Sequence, residues 1–320
     1  MDLVDEQLRG LEKTNPPLTK RPDHGAFWEA TMKLVASVPL LVRREPVEYP
    51  LTGLSVSEVT YDGLDGTPVK GWFILPNPVP TGRLPAVVRY HGHGWHRGFP
   101  SHHAAWAAMG FAVLAVDTRL QGNDTGTKSG AAFGNCDAGV TLGLLDRDTY
   151  YLRHTFTDAC RAVGVAREMP EIDPGKVVVE GGSQGGGLSI AVAALVPDVS
   201  LCLADVPSYG WMEKRVFGRT GTYSAVAGVL RRHPDWMEKA CATLSYFDTM
   251  NLADRIRCPV LVSMGLKDPV VPPETVYAMY NRIRSEKRME AYPFGEHDGG
   301  GGFHDELKYA FVKEKLGKAS

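Results

Sequence analysis

Residues Lys176 to Leu195 read KVVVEGGSQGGGLSIAVAAL, with Ser183 at the centre of Gly181-x-Ser183-x-Gly185. A hydroxyl is a poor nucleophile until a base takes its proton. A serine on a sharp turn between a strand and a helix offers its Oγ to such a base. It also offers the following N–H groups to a developing anion. The surroundings suit that use. Val177-Val178-Val179 is a β-branched apolar run, and the residues after the turn are small and apolar. Small flanks let a serine hold a strained backbone. The alternative is a Gly-rich turn carrying a solvated serine. A phosphate-binding loop is excluded, because no Lys-Ser/Thr pair follows the glycines.

A base and an orienting acid are available in the right chain order. Asp268 comes shortly after the apolar run Cys258 to Met264, and His297 lies between Gly295 and Gly299. His297 would take the Ser183 proton and return it to the leaving group, while Asp268 would hold the imidazole tautomer. Asp268 has an alternative use as a cap for the helix predicted from Pro273. His297 competes with His304, which reads as the start of the last helix. A tetrahedral oxyanion needs two N–H donors. Gln184 supplies one, and His93 in the loop His91-Gly92-His93 supplies the other. Tyr90 and Pro207, beside neighbouring strand ends, are weaker candidates for the substrate wall. His91, His93, His96, His102 and His103 form a cluster in which a zinc site would need a third well-placed ligand. The oxyanion turn fits it better, and no metal is expected.

These residues need strands that end along one edge. LPAVVRY (84–90), FAVLAV (111–116), the elbow strand, a short strand over 201–204, CPVLVSM (258–264) and a strand over 288–292 are mostly continuous apolar runs. Helices are predicted between them, over 101–109, 149–169, 273–284 and about 304–316. Such alternation predicts an α/β fold: a mainly parallel sheet covered by helices on both faces, with ligands at the strand C-termini. SVSEVTY (55–61) and VKGWFIL (69–75) alternate around an Asp/Gly turn and predict an antiparallel hairpin at one sheet edge. Residues 1–50 read as an N-terminal extension with a helix over 27–38, residues 123–147 as a long loop, and 208–255 as a helical, lid-like insertion. The whole chain, 1–320, reads as one domain.

The 320 residues are 43% hydrophobic and 22% charged, with a formal charge of −2. This is a globular composition without the basic footprint of a nucleic-acid or anionic-membrane binder. No apolar run is long enough to span a bilayer, and the charged first residues do not read as a signal peptide, so none is expected. Cys136, Cys160, Cys202, Cys241 and Cys258 are scattered without a CxxC pair, which favours reduced thiols in the cytoplasm.

The order Ser183, Asp268, His297 is that of the α/β-hydrolases. Across nearly its whole length the chain resembles carbohydrate esterase family seven, the acetyl xylan esterase and cephalosporin C deacetylase group. The resemblance rests on Phe27-Trp28, Tyr90-His91-Gly92, Asp117 to Gly122 with Arg119, Gln121 and Gly122, Tyr150 to Arg153, Phe156 to Ala159, Gly182 to Gly187, Leu244 to Asp248, Asp268 with Pro272-Pro273, and His297. Leu120 stands where the family has glycine, His93 where it usually has tyrosine, and Asp298 where it has glutamate. The resemblance implies removal of acetyl groups from small acetylated compounds, namely sugar acetates, xylo-oligosaccharides or cephalosporin C. It implies no cofactor, and a homohexamer with its sites facing an internal cavity. The residues alone reach only a serine hydrolase acting on an ester-like carbonyl, with a peptidase, a thioesterase or a non-catalytic binding module as alternatives.

Overall fold

The computed structural model describes residues 2–122, 124–130 and 139–317. Cys136 and part of the loop expected over 123–147 lie outside them. The described strands are β1 (Arg43–Val47), β2 (Leu54–Asp62), β3 (Pro68–Pro76), β4 (Leu84–Tyr90), β5 (Ala112–Val116), β6 (Ile172–Gly182), β7 (Leu201–Asp205), β8 (Val260–Gly265) and β9 (Lys287–Tyr292). The described α-helices are α1 (Asp2–Glu12), α2 (His24–Ser37), α3 (Ala104–Ala108), α4 (Tyr151–Glu168), α5 (Gln184–Leu195), α6 (Met212–Gly218), α7 (Tyr223–Arg232), α8 (Met237–Phe247), α9 (Pro273–Tyr280) and α10 (Gly301–Leu316).

The strands form one sheet in the order β1-β2-β3-β5-β4-β6-β7-β8-β9. Pairing is antiparallel from β1 to β5 and parallel from β5 to β9. The period of two sorts the buried valines. Val177 and Val179 join the core on the face that carries α4 and α5, while Val178 joins the core with Trp106, Phe111, Phe311 and Val312 near α3 and α10. Both faces are therefore covered, which is why these strands read as continuous apolar runs.

Register brings the reactive loops together. Tyr90 pairs with Gly181, Gly182 with Asp205, Asp205 with Ser263, and Gly265 with Tyr292. The C-terminal ends of β4, β6, β7 and β8 thus stand in a row, and the loop carrying His297 follows β9.

The predicted β2–β3 hairpin is present, but it is not the edge: β1 pairs outside it. RREPV is a mostly polar outer strand with no apolar alternation to betray it. The N-terminal extension is tied to the body. Trp28 is fully buried between Phe156 and Phe247, and its Nε1–H donates to the Tyr246 carbonyl at 2.8 Å. Arg161 of α4 donates to the carbonyls of Val35, Val38 and Pro39 at 3.2, 3.0 and 2.7 Å, satisfying the open C-terminal end of α2. The segment read as an insertion is helical and contributes α6, α7 and α8.

Trp28→Ala is expected to lower stability by about 3–5 kcal/mol, seen as a reduced urea midpoint. A second expectation concerns acid. Burial lowers His24, His103 and His154 from 6.5 to about 4. A depressed folded value favours the neutral ring, so this stability is complete above about pH 6.5 and is lost as pH falls towards 4. The unfolding free energy from denaturant titrations across that window should drop with falling pH, by up to roughly 1.4 kcal/mol per histidine per pH unit.

Candidate active site

Ser183 joins the end of β6 to the start of α5 with φ 57° and ψ −116°. That conformation costs roughly 1–3 kcal/mol, and its neighbours hold it. The Ser183 N–H donates to the Asp205 carbonyl at 2.8 Å, and the Ser183 carbonyl accepts from Gly187 at 3.0 Å and Ser208 at 2.9 Å. A Cβ at Gly185 would overlap the Tyr90 carbonyl oxygen, so only glycine lets the elbow close on β4.

His297 bridges the other two partners. Its Nε2 lies 2.9 Å from Ser183 Oγ and its Nδ1 2.7 Å from Asp268 Oδ2. The carboxylate accepts only, so Nδ1 carries the proton and Nε2 presents its lone pair to the serine hydroxyl. Asp268 is buried, and its Oδ1 accepts from the N–H groups of Val270 and Val271 at 2.8 and 2.9 Å. The alternative of a cap for α9 is not what it does, since it fixes the loop before that helix. Asp298 Oδ1 accepts from the Glu296 N–H at 2.9 Å and closes the turn that carries His297.

The oxyanion side is built from neutral groups. The Gln184 N–H belongs to the first turn of α5 and has no intrahelical acceptor. The turn after β4 comes alongside: an ideal Cβ on Gly92 would lie 4.0 Å from Ser183 Cβ. The Gln184 side chain is buried in a reciprocal amide pair. Gln121 Nε2 donates to Gln184 Oε1 at 3.0 Å, and Gln184 Nε2 donates to Gln121 Oε1 at 3.1 Å. Gln121 Oε1 also accepts from the Gly94 N–H at 2.9 Å, and Gln184 Oε1 lies 3.2 Å from His93 Nδ1. His91 Nε2 accepts from the Thr118 N–H at 2.9 Å, and its Nδ1 lies 2.8 Å from the Gly92 carbonyl. This pattern needs a neutral ring protonated at Nδ1, and burial lowers the pKa of His91 in the same direction.

Arg119, Gln121 and Gly122 support this side from behind. Arg119 donates Nε and Nη2 to Asp158 at 2.7 and 2.8 Å and both terminal nitrogens to Asp65 at 2.9 and 3.1 Å. Burial opposes its charge, but the two carboxylates outweigh that and raise its pKa. The Arg119 carbonyl accepts from Tyr151 Oη at 2.7 Å, and Tyr151 Oη in turn accepts from Gln121 Nε2 at 3.0 Å. At Gly122, with φ 73°, a Cβ would press into His96. Leu120 has φ 62°, so the turn keeps the left-handed backbone that glycine favours, with the side chain exposed.

A cavity of about 490 Å³ opens onto Ser183, Gln184, His93 and His297. Tyr90 and Pro207 do not line it, which corrects their expected place in the substrate wall. Tyr90 points into the core and donates its hydroxyl to the Ala159 carbonyl at 2.8 Å, while Pro207 is buried against Gly186. The wall is supplied instead by Trp95, Ser208, Tyr209, Arg215, Thr222 and Val270. Several of these come from the helical insertion and lie outside its Leu244 to Asp248 motif. The positive φ of Val206, Tyr209 and Trp211 marks the strained path from β7 into it. Among the described residues no group of three or more His, Cys, Asp or Glu is arranged to hold a metal ion.

Residues 1–315 match the family model described as acetyl xylan esterase. The acetyl esterase Axe7A of Xylanibacter ruminicola is 30% identical over 295 residues, which is 88% of this chain and 64% of that protein. The chain therefore spans less than two-thirds of the length of this relative. In solved structures, the acetyl xylan esterase from Paenibacillus sp. R4 superposes with a TM-score of 0.93 at 36% identity, covering 97% of this chain and 99% of that one. Acetyl xylan esterase 1 from Thermoanaerobacterium sp. JW/SL YS485 gives 0.90 at 30% identity, covering 96% and 98%.

Gln121→Leu keeps the size of the side chain but removes both amide bonds to Gln184. It should lower kcat for an acetate ester by roughly tenfold or more, short of the ~10²–10³ lost with an oxyanion donor itself. Ser183 should still be labelled by a fluorophosphonate, since the triad is untouched.

Proposed function

The chain belongs to the acetyl xylan esterase family, and on that premise we propose that it is a serine carboxylesterase removing acetyl groups from small acetylated sugars. The observation that carries the reading is His297 held between Asp268 and Ser183 at 2.7 and 2.9 Å on the wall of an open cavity.

Chemistry follows from that geometry. Ser183 Oγ attacks the acetyl carbonyl carbon while His297 Nε2 takes its proton. Asp268, already accepting from Nδ1–H, stabilises the imidazolium. The carbonyl oxygen becomes an anion facing the N–H groups of Gln184 and His93. Collapse of the tetrahedral intermediate breaks the ester bond, and His297 gives its proton to the departing alcohol oxygen. Water then attacks the acetyl-serine with His297 again as base. Acetate leaves and Ser183 regains its proton.

The alcohol half has the rest of the cavity. Trp95 lines it and is 58% exposed, which provides an apolar face on which a sugar ring can stack. Acetylated xylo-oligosaccharides fit this reading, and cephalosporin C-type acetates are a finer extension of it. A homohexamer belongs to the same proposal, supported by exposed Phe217, Phe294 and Phe303, and mass in solution decides it.

Ser183→Ala should abolish hydrolysis of a chromogenic acetate, with the circular dichroism spectrum unchanged. Full activity in that variant would sink the proposal. In the wild type, kcat/KM should fall steadily from acetyl to butyryl to octanoyl esters, and an aminoacyl amide should not be cleaved. Preference for the amide would instead make the chain a peptidase.

A further inference from the structure

The cavity at Ser183 contains a cation that the acyl-transfer steps do not use. Arg215 of α6 lines the same wall as Tyr209 and Thr222, and it is 2% exposed. Its guanidinium sits over the Tyr223 ring, 4.6 Å from the centroid. One terminal nitrogen donates to Ser208 Oγ and the other to the Val270 carbonyl at 3.1 Å. Nε is buried and has no hydrogen-bond partner. A guanidinium carries five N–H donors, so two neutral oxygens leave most of them unused.

Other deeply buried arginines are supplied with more acceptors or with charge: Arg161, also without a carboxylate partner among the described residues, donates to four carbonyls, those of Asp62, Val35, Val38 and Pro39. Arg119 is held by Asp65 and Asp158, and Arg97 by Asp117 and Glu58. Among the described residues no carboxylate lies within 4.0 Å of Arg215, whose two acceptors are a hydroxyl and a carbonyl. Asp268 and Asp248 act on its charge from beyond that distance, and a buried charge without a directly paired counter-ion is unfavourable. One that faces a ligand cavity can be completed by the ligand.

We propose that Arg215 reads a carboxylate on the substrate, so that the preferred esters are acetates of alcohols that also bear an acid group, such as hydroxy acids or acidic sugars. This rests on the acetylesterase reading, which makes the acyl half neutral and leaves the anion to the alcohol half. The planar fork of arginine favours a carboxylate, which it can hold with two parallel N–H bonds, over a neutral hydroxyl. Arg215 is thus a specificity-determining residue. Because Val270 also donates its N–H to Asp268, the anion would bind against the loop that orients the triad acid.

The test compares 3-acetoxybenzoate with 3-acetoxybenzamide, esters of nearly equal size that differ in charge. Each enzymatic rate is divided by the uncatalysed hydroxide rate. Wild type should favour the carboxylate by roughly 10- to 100-fold in kcat/KM, mostly through KM. In Arg215→Met the ratio should fall to about one, and Arg215→Lys should recover part of it. Calorimetric titration of wild type with 3-hydroxybenzoate and 3-hydroxybenzamide gives a second measure that needs no variant to fold. Binding of the acid alone supports the proposal, and equal or no binding overturns it. An equal preference in wild type also overturns it. So does a ratio unchanged in Arg215→Met while both rates drop together, which would make the residue a clamp between Ser208 and Val270. If wild type cleaves neither ester, the acetylesterase reading fails, and the calorimetry still decides Arg215.

Discussion

The site depends on one steric constraint. The first turn of α5 lies so close to the end of β4 that no Cβ fits between Gly185 and the Tyr90 carbonyl. Closing that gap does two things together. It bends the chain at Ser183 into its positive-φ conformation, and it sets the nucleophile beside the turn that follows Tyr90. The oxyanion side is therefore not recruited from a distance. It is the neighbouring strand end, brought alongside by sheet register and held there by the amides of Gln121 and Gln184.

Charge is arranged by layer around this point. The groups that steady the oxyanion turn are uncharged: two amides, a tyrosine hydroxyl and the neutral His91. Beneath the elbow the contacts are ionic. Lys308 of α10 donates to Asp205 at 2.6 Å and to Glu180 at 3.0 Å, and Arg89 also pairs with Glu180. Burial opposes ionisation of Glu180, but Arg89 and Lys308 outweigh it and lower its pKa. His304 is buried in this layer, with Nδ1 2.9 Å from Tyr292 Oη. These contacts join the helix after the His297 loop to the strand that carries Ser183. Base and nucleophile are thereby referred to one rigid base.

Legibility in the sequence followed the physics of each position. Ser183, Asp268 and His297 could be read because buried parallel strands leave apolar runs and reactive residues come just after them. The amide partner of Gln184 was nameable only as part of a motif. Nothing in its residue type says that Gln121 faces another amide rather than solvent. Tyr90 was misplaced because the last residue of a strand can point to either face, and here its ring goes to the α4 side, where Ala159 accepts its hydroxyl. Strand β1 gave no signal, since a polar outer strand is held by backbone pairing. The segment 208–255 reads as a lid-like insertion, but which of its residues wall the pocket has no signal, for a related reason. Its placement is a tertiary outcome, set by Asp248 accepting from the N–H groups of Trp211 and Met212 at 3.0 and 2.8 Å.

Trp28 and the Tyr246 carbonyl lie 218 residues apart in the chain. During synthesis α2 emerges long before α8, the segment that helps to bury it. Until α8 has left the ribosome, Phe27 and Trp28 have no partner in Phe247, and an aromatic pair is offered to whatever else is near. Contacts of this separation are slow to form and leave apolar surface open in the interval. A segment made well before its partner is thus among the last to be enclosed, and the helical insertion that walls the substrate cavity also serves as the lock for α2.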